Sequence, residues 1–234
     1  MSAESQAVII ATATRQGTEA SNADAAAIHY LPDGDLVAAC IVDGIGHTEG
    51  TPEWARIAAE VAARVGARRT ATIGLLTAAT LNNAPAGDSI EPDGVAVLAI
   101  AEPGQPTAIA WTGDAGAYSW NGEELRLLTT PHTVGEYLRY NGGEHVELLA
   151  QHHDNWVRTT LGRSTPATVH PAETDEELVL LFSDGIEQVP HERLVQLIRQ
   201  YENDLQALAD AIVAAVEADD DGYRDDATVI VLKS

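Results

Sequence analysis

Apolar and β-branched residues fall in short blocks punctuated by Gly, Pro, Asn and Asp. They predict strands at QAVIIATAT (6–14), AAIHYL (26–31), LVAACIVD (36–43), GVAVLAIA (94–101), TAIAWTGD (107–114), GAYSWN (116–121), ELVLLFSD (177–184) and ATVIVLK (227–233). Several blocks are apolar at consecutive positions, the pattern of central strands covered on both faces. A 3.6-residue period appears instead in TPEWARIAAEVAARVGARR (51–69). There Thr51 is the expected cap, Pro52 takes the first helical position, and Trp54, Ile57, Ala58, Val61 and Val65 form one stripe. Further helices are predicted near 73–81, at HERLVQLIRQY (191–201) and at NDLQALADAIVAAVEA (203–218), the last with Asn203 as N-cap. Strands gathered into hairpins with helices in separate blocks indicate an α+β fold of mostly antiparallel sheet. Residues 1–234 read as a single domain, since neither a repeat nor a linker divides them.

Composition narrows the function. The 36 acidic and 13 basic residues leave a formal net charge of -23, which repels phosphate backbones and anionic lipid, so nucleic acid and membrane surfaces are poor partners. No apolar run reaches the length of a membrane span and the N-terminus lacks a signal-like pattern, so a cytoplasmic protein is expected. The single cysteine, Cys40, excludes an internal disulfide and multi-cysteine zinc sites, and its apolar neighbours mark a buried, inert thiol.

The aspartates stand out by position. Asp43, Asp114 and Asp184 end buried strand blocks, and Asp225 and Asp226 open the last one. One Asp-Gly pair is accounted for by a turn. Several carboxylates at one sheet rim repel one another unless a cation compensates. Oxygen donors without a cysteine set or a zinc-type histidine pair select Mg²⁺ or Mn²⁺. Two such ions roughly 3.5 to 4 Å apart activate a water toward phosphorus without a protein nucleophile. The absence of GxSxG and GxxxxGK[ST] motifs agrees with this.

The ordered set NADA (22–25), VDGIGH (42–47), GDAGAYSWNGEELRLLTTPHT (113–133), VRTTLG (157–162), LLFSDGIEQV (180–189) and RDDATVIVL (224–232) resembles the metal-dependent protein serine/threonine phosphatases of the protein phosphatase 2C (PPM) family, in their compact bacterial form. The resemblance covers about residues 8 to 232. It implies a four-layer αββα sandwich of two antiparallel sheets flanked by helices, with a dinuclear Mn²⁺ or Mg²⁺ centre at one end. By motif match Asp43 bridges both ions, the Gly44 carbonyl binds the second, and Asp184 and Asp225 complete the first. Asp24 holds metal-bound waters, and Asp114 with Asp184 marks a third, weaker site. The expected activity is hydrolysis of phosphoserine or phosphothreonine in proteins, opposing a serine/threonine kinase in a bacterial cytoplasm, from a monomer.

Departures from the pattern carry equal weight. Ala23 stands where relatives have a glutamate ligand, which weakens the second ion site. Glu19 stands nearest the place of the phosphate-binding arginine, leaving Arg15 as its candidate substitute. GDAG and Gln188 replace residues of the third site, which is therefore expected to be weak or absent. His47 has two readings, general acid or locally bonded loop histidine. His152 and His153 diverge on any regular backbone. Trp111, Tyr118 and Trp120 read as packing on a predicted hairpin, and Arg158 reads as a surface ion pair or a phosphate contact. Residues 131–155 occupy the place of the family's flap beside the active site. The alternative to a working enzyme is a divergent, weak or inactive domain of the same fold with a regulatory or binding role.

Overall fold

The computed structural model describes residues 7–31, 35–46, 48–82, 92–143 and 145–234. Two five-stranded antiparallel sheets form its centre. One contains, in spatial order, β1 (Ile9–Arg15), β10 (Ala227–Lys233), β9 (Leu178–Phe182), β6 (Gly116–Trp120) and β7 (Leu125–Leu127). The other runs β2 (Asp24–Tyr30), β3 (Val37–Ile45), β4 (Asp93–Ala101), β5 (Thr107–Thr112) and β8 (His170–Thr174). Helices α1 (Thr51–Gly66) and α2 (Ala71–Ala79) cover the second sheet, while α5 (His191–Tyr201) and α6 (Leu205–Ala214) cover the first. Between β7 and β8 the chain leaves the sandwich as α3 (Val134–Asn141) and α4 (Glu147–Gln151). The predicted four-layer αββα sandwich is thus observed.

The strand blocks are apolar on both faces because each central strand supplies two cores. Along β3, Val37, Ala39 and Ile41 face the other sheet, whereas Cys40 and Val42 face α1 and α2. Along β9, Val179 and Leu181 face inward, while Leu178, Leu180 and Phe182 meet α5 and α6. Sheet and helix layers are therefore joined by side chains of alternate parity on the same strands.

Several local expectations change. The face that α1 buries is alanine, with Ala55, Ala58, Ala59, Ala62 and Ala63 inside, while Ile57 is exposed and Trp54 and Val61 are only partly buried. Small residues are required because α2 crosses closely: a Cβ on Gly74 would lie 2.6 Å from the Ala62 carbonyl oxygen. Thr51 is the first helical residue, with Gly50 at the cap, and α6 is capped by Asp204, whose side chain accepts from the Ala207 N–H at 3.0 Å, in place of Asn203. Tyr118 and Trp120 do not share a hairpin with Trp111. β5 and β6 belong to different sheets, and GDAG carries the chain across.

Gly113 makes that crossing at φ +87, and a Cβ there would run into Val95. Gly113→Ala combines backbone strain with a core clash, and is expected to cost on the order of 2 kcal/mol or more in a chemical denaturation experiment. Wild-type stability in that variant would show that the loop can relax.

Candidate functional site

The carboxylates gather where both sheets end. Register places Asp24 on β2 opposite Asp43 on β3, which in turn faces Val95 on β4. Close backbone approach fixes this corner: the Gly44 N–H donates to the Ala23 carbonyl at 3.1 Å, and a Cβ on Gly44 would lie 2.7 Å from that oxygen. The first sheet delivers Asp184 on the 3-10 turn Asp184–Gln188 immediately after β9, and Asp225 just before β10.

Ser183 locks the two sheets together here. Its buried hydroxyl donates to Asp24 Oδ2 at 2.7 Å and accepts from the Thr228 N–H at 2.9 Å. The two aspartates of RDD divide their labour. Buried Asp226 accepts from the Gly17 N–H through Oδ1 and from the Ala23 N–H through Oδ2, both at 2.7 Å. Those bonds tie the 16–23 loop to β10 and leave Asp225 facing the cavity. The roles of Ser183 and Asp226 were not foreseen from the sequence; a hydroxyl and a second carboxylate beside the motif acids were the available signal.

Asp43 lies between two cavities. The first, about 260 Å³, is lined by Asp43, Gly44, Ala23, Glu19, Glu49 and Asp225. The second, about 320 Å³, is lined by Asp43, Asp114, Asp184, Val95, Val157 and Thr160. Among the described residues no ion pair includes Asp24, Asp43, Asp114, Asp184 or Asp225. The consequence is strong mutual perturbation. Desolvation, then the charges of Asp184, Asp24 and Asp114, hold the Asp43 carboxyl well above the ordinary range, within hydrogen-bonding reach of Asp184. Asp184 is raised by desolvation and then by Asp225, Asp114 and Asp24. Burial, partly offset by bonds to Ser183 and Thr228, pushes Asp24 to about 7, and burial followed by the Asp225 charge pushes Asp114 to about 6.

These raised values set a sign for stability. A carboxyl that holds its proton more tightly when folded makes the folded state lose ground as pH rises from its unfolded to its folded pKa. For Asp24 that window runs from the ordinary 3.8 to about 7. Chelator-treated protein is expected to lose on the order of 5 °C in melting temperature between about pH 5 and pH 8. A melting temperature that rises across that interval would contradict the electrostatic picture.

The donor chemistry suits a hard divalent cation, since the charged side chains lining the two cavities are all carboxylates and the Asp43–Asp184 contact needs a proton or a cation to be tolerated. Even so, among the described residues no three His, Cys, Asp or Glu side chains stand as a ready-made cage. The other predicted residues have different fates. His47 lies outside the described residues. Arg15 does not serve the site: its Nη1 donates to the carbonyls of Val213, Ala214 and Val216, capping the end of α6, because those C-terminal acceptors lack helical partners. Among the described residues Arg158 makes no ion pair, and instead lies 4.1 Å over the Tyr137 ring. His152 and His153 each bond a carbonyl of α4, through Leu148 and Leu149, and do not form a pair site.

Glu187 was missed because the family pattern directs attention to Gln188. It lines a small cavity with Asp114, Arg139 and Asp154, and desolvation followed by the charges of Asp114 and Asp154 raises its carboxyl, an effect that solvent weakens because Glu187 is an exposed residue. Arg139 ties α3 to α4 and the turn after it, pairing with Asp154 at 2.6 Å and Glu147 at 3.1 Å.

Compared with protein families and with curated proteins, the sequence matches none. Solved structures do match it. A serine/threonine phosphatase of S. agalactiae superposes with a TM-score of 0.82 at 17% identity, covering 97% of this chain and 99% of that one. The PPM Ser-Thr phosphatase MsPP of Mycobacterium smegmatis, solved in complex with cacodylate, gives 0.71 at 22% identity, covering 97% and 99%. A C. elegans sex determining protein gives 0.70 at 17% identity, covering 97% of this chain and 65% of that one. Layer order, sheet composition and near-complete mutual coverage of bacterial phosphatases together establish that this chain has the fold of the PPM serine/threonine phosphatases.

Proposed function

We propose that this protein is a metal-dependent phosphatase acting on phosphoserine or phosphothreonine in proteins, with Asp43, Asp184 and Asp225 as its principal Mn²⁺ or Mg²⁺ ligands. The observation that carries the reading is the meeting of Asp43 and Asp184, from different sheets, without a cation among the described residues to offset them. The Gly44 carbonyl and, more weakly, Asp114 are the remaining donors. A bound divalent ion would draw charge from the phosphoryl group and lower the pKa of a water. The chain's own contribution is placement. Asp43 serves both cavities, Asp24 accepts from Ser183 across the two sheets, and Asp226 fixes the 16–23 loop that lines the first cavity beside Asp225.

A second reading, a weak or inactive regulatory domain, draws on the first cavity. Ala23 supplies no carboxylate, Glu19 places a negative charge there, and Arg15 is engaged elsewhere. The test is hydrolysis of p-nitrophenyl phosphate and a phosphothreonine peptide across a Mn²⁺ titration, with Asp184→Asn in parallel. Saturable, chelator-sensitive release that disappears in the variant supports the enzyme. Stabilisation by Mn²⁺ without release supports the binding domain.

A further inference from the structure

A third cavity, about 360 Å³, lies beneath α3 and is lined by Tyr137, Tyr140, Arg158, Thr159, His132 and His170 among others. It adjoins the aspartates through one short stretch of backbone. Val157 and Thr160 line the Asp43–Asp114–Asp184 cavity, whereas Arg158 and Thr159 line this one. Asp43 lines both cavities beside the sheet ends, so a polypeptide whose phosphorylated side chain reaches Asp43 from the Val157–Thr160 side passes close to the third.

The chemistry of the third cavity opposes that of its surroundings. Arg158 is exposed, stacks 4.1 Å above the Tyr137 ring, and among the described residues has no carboxylate partner. The ring face holds the guanidinium by a cation–π contact, which uses none of its five N–H donors. The acid that lines the same cavity, Glu136, pairs with Arg139 at 3.7 Å and, among the described residues, forms no ion pair with Arg158. Tyr137 and Tyr140, 47% and 89% exposed, leave aromatic surface at the mouth to cover the stem of an entering side chain. Against the repulsive field of a chain of net charge -23, it is the guanidinium on an aromatic wall that locally favours a carboxylate over a cation.

We propose that this cavity is an accessory pocket for an acidic side chain of the polypeptide substrate, with Arg158 as the specificity-determining residue. This rests on the phosphatase reading for the identity of the polypeptide. Because the two cavities are lined by adjacent residues of the 157–160 stretch, and an extended chain advances about 3.3 to 3.6 Å per residue, positions roughly one to three residues either side of the phosphorylated one are the ones to vary.

Fluorescein-labelled phosphothreonine peptides carrying Glu, Ala or Lys at those positions test this, by anisotropy and by initial hydrolysis rate in Mn²⁺ buffer. Wild type, Arg158→Gln and Arg158→Lys are compared. Wild type is expected to bind a Glu peptide about tenfold more tightly than its Ala counterpart. The preference should shrink to about twofold or less in Arg158→Gln and return in part in Arg158→Lys. Equal binding of all three peptides, a preference for Lys, or a Glu preference undiminished in Arg158→Gln would overturn the proposal. A Glu preference without hydrolysis upholds the pocket while removing the phosphatase reading, and hydrolysis without it does the reverse.

Discussion

Asp43→Asn is expected to abolish metal-dependent phosphate release while raising the melting temperature of the metal-free protein. The two effects have opposite signs because the same carboxylate does two things. It is common to both cavities beside the sheet ends, so its loss removes a donor from each. A fall in kcat/KM of at least about 10²- to 10³-fold follows if its removal costs what loss of one charge-stabilising group costs in other active sites. Without metal, however, Asp43 stands against Asp184, Asp24 and Asp114, and its own carboxyl is forced well above the ordinary range. The neutral amide keeps the shape and removes the repulsion. A variant merely damaged in folding would lose activity and stability together. Loss of both, or retention of Mn²⁺-dependent turnover, would count against Asp43 as the shared ligand.

The site was legible where chemistry and local structure coincide, and obscure where they depend on partners distant in sequence. Asp43, Asp184 and Asp225 could be singled out because each sits at the end of a strand block whose burial the apolar run declares. Two-faced strands gave away the layered sandwich for the same reason. Nothing local distinguishes Asp225 from Asp226, however; only the two N–H groups arriving from the 16–23 loop assign Asp226 to holding backbone. Arg15 misled because a strand-end arginine near the motif is ambiguous until the end of α6 arrives with three unpaired carbonyls. Helix α3 escaped notice although Thr133 caps it through the Glu136 N–H at 3.1 Å, because its mixed sequence lacks a broad apolar stripe. The short strands β7 and β8 have few residues to pattern and owe their pairing to β6 and β5.

Adding a carboxylate and a guanidinium to the first cavity should increase activity if the proposed reading holds, and the two substitutions should act on different constants. Ala23 is held by its backbone, with its N–H on Asp226 and its carbonyl accepting from Gly44, so a longer side chain need not move the strand end. Ala23→Glu adds a carboxylate beside Asp43 and Gly44. It is expected to tighten Mn²⁺ binding about tenfold or more by calorimetry. Glu19→Arg exchanges a charge that repels a phosphate dianion for a planar donor able to bind it bidentately, and should lower KM for a phosphopeptide about tenfold or more. Its effect on Mn²⁺ affinity runs the other way, because an added cation near the cavity disfavours the ion. The double variant should therefore separate the contributions: metal affinity near that of the wild type, with the lower KM retained. If Ala23→Glu tightens the ion and Glu19→Arg leaves KM unchanged, phosphate does not pass Glu19, and the second cavity, between Asp114 and Asp184, becomes the place where the phosphoryl group is held.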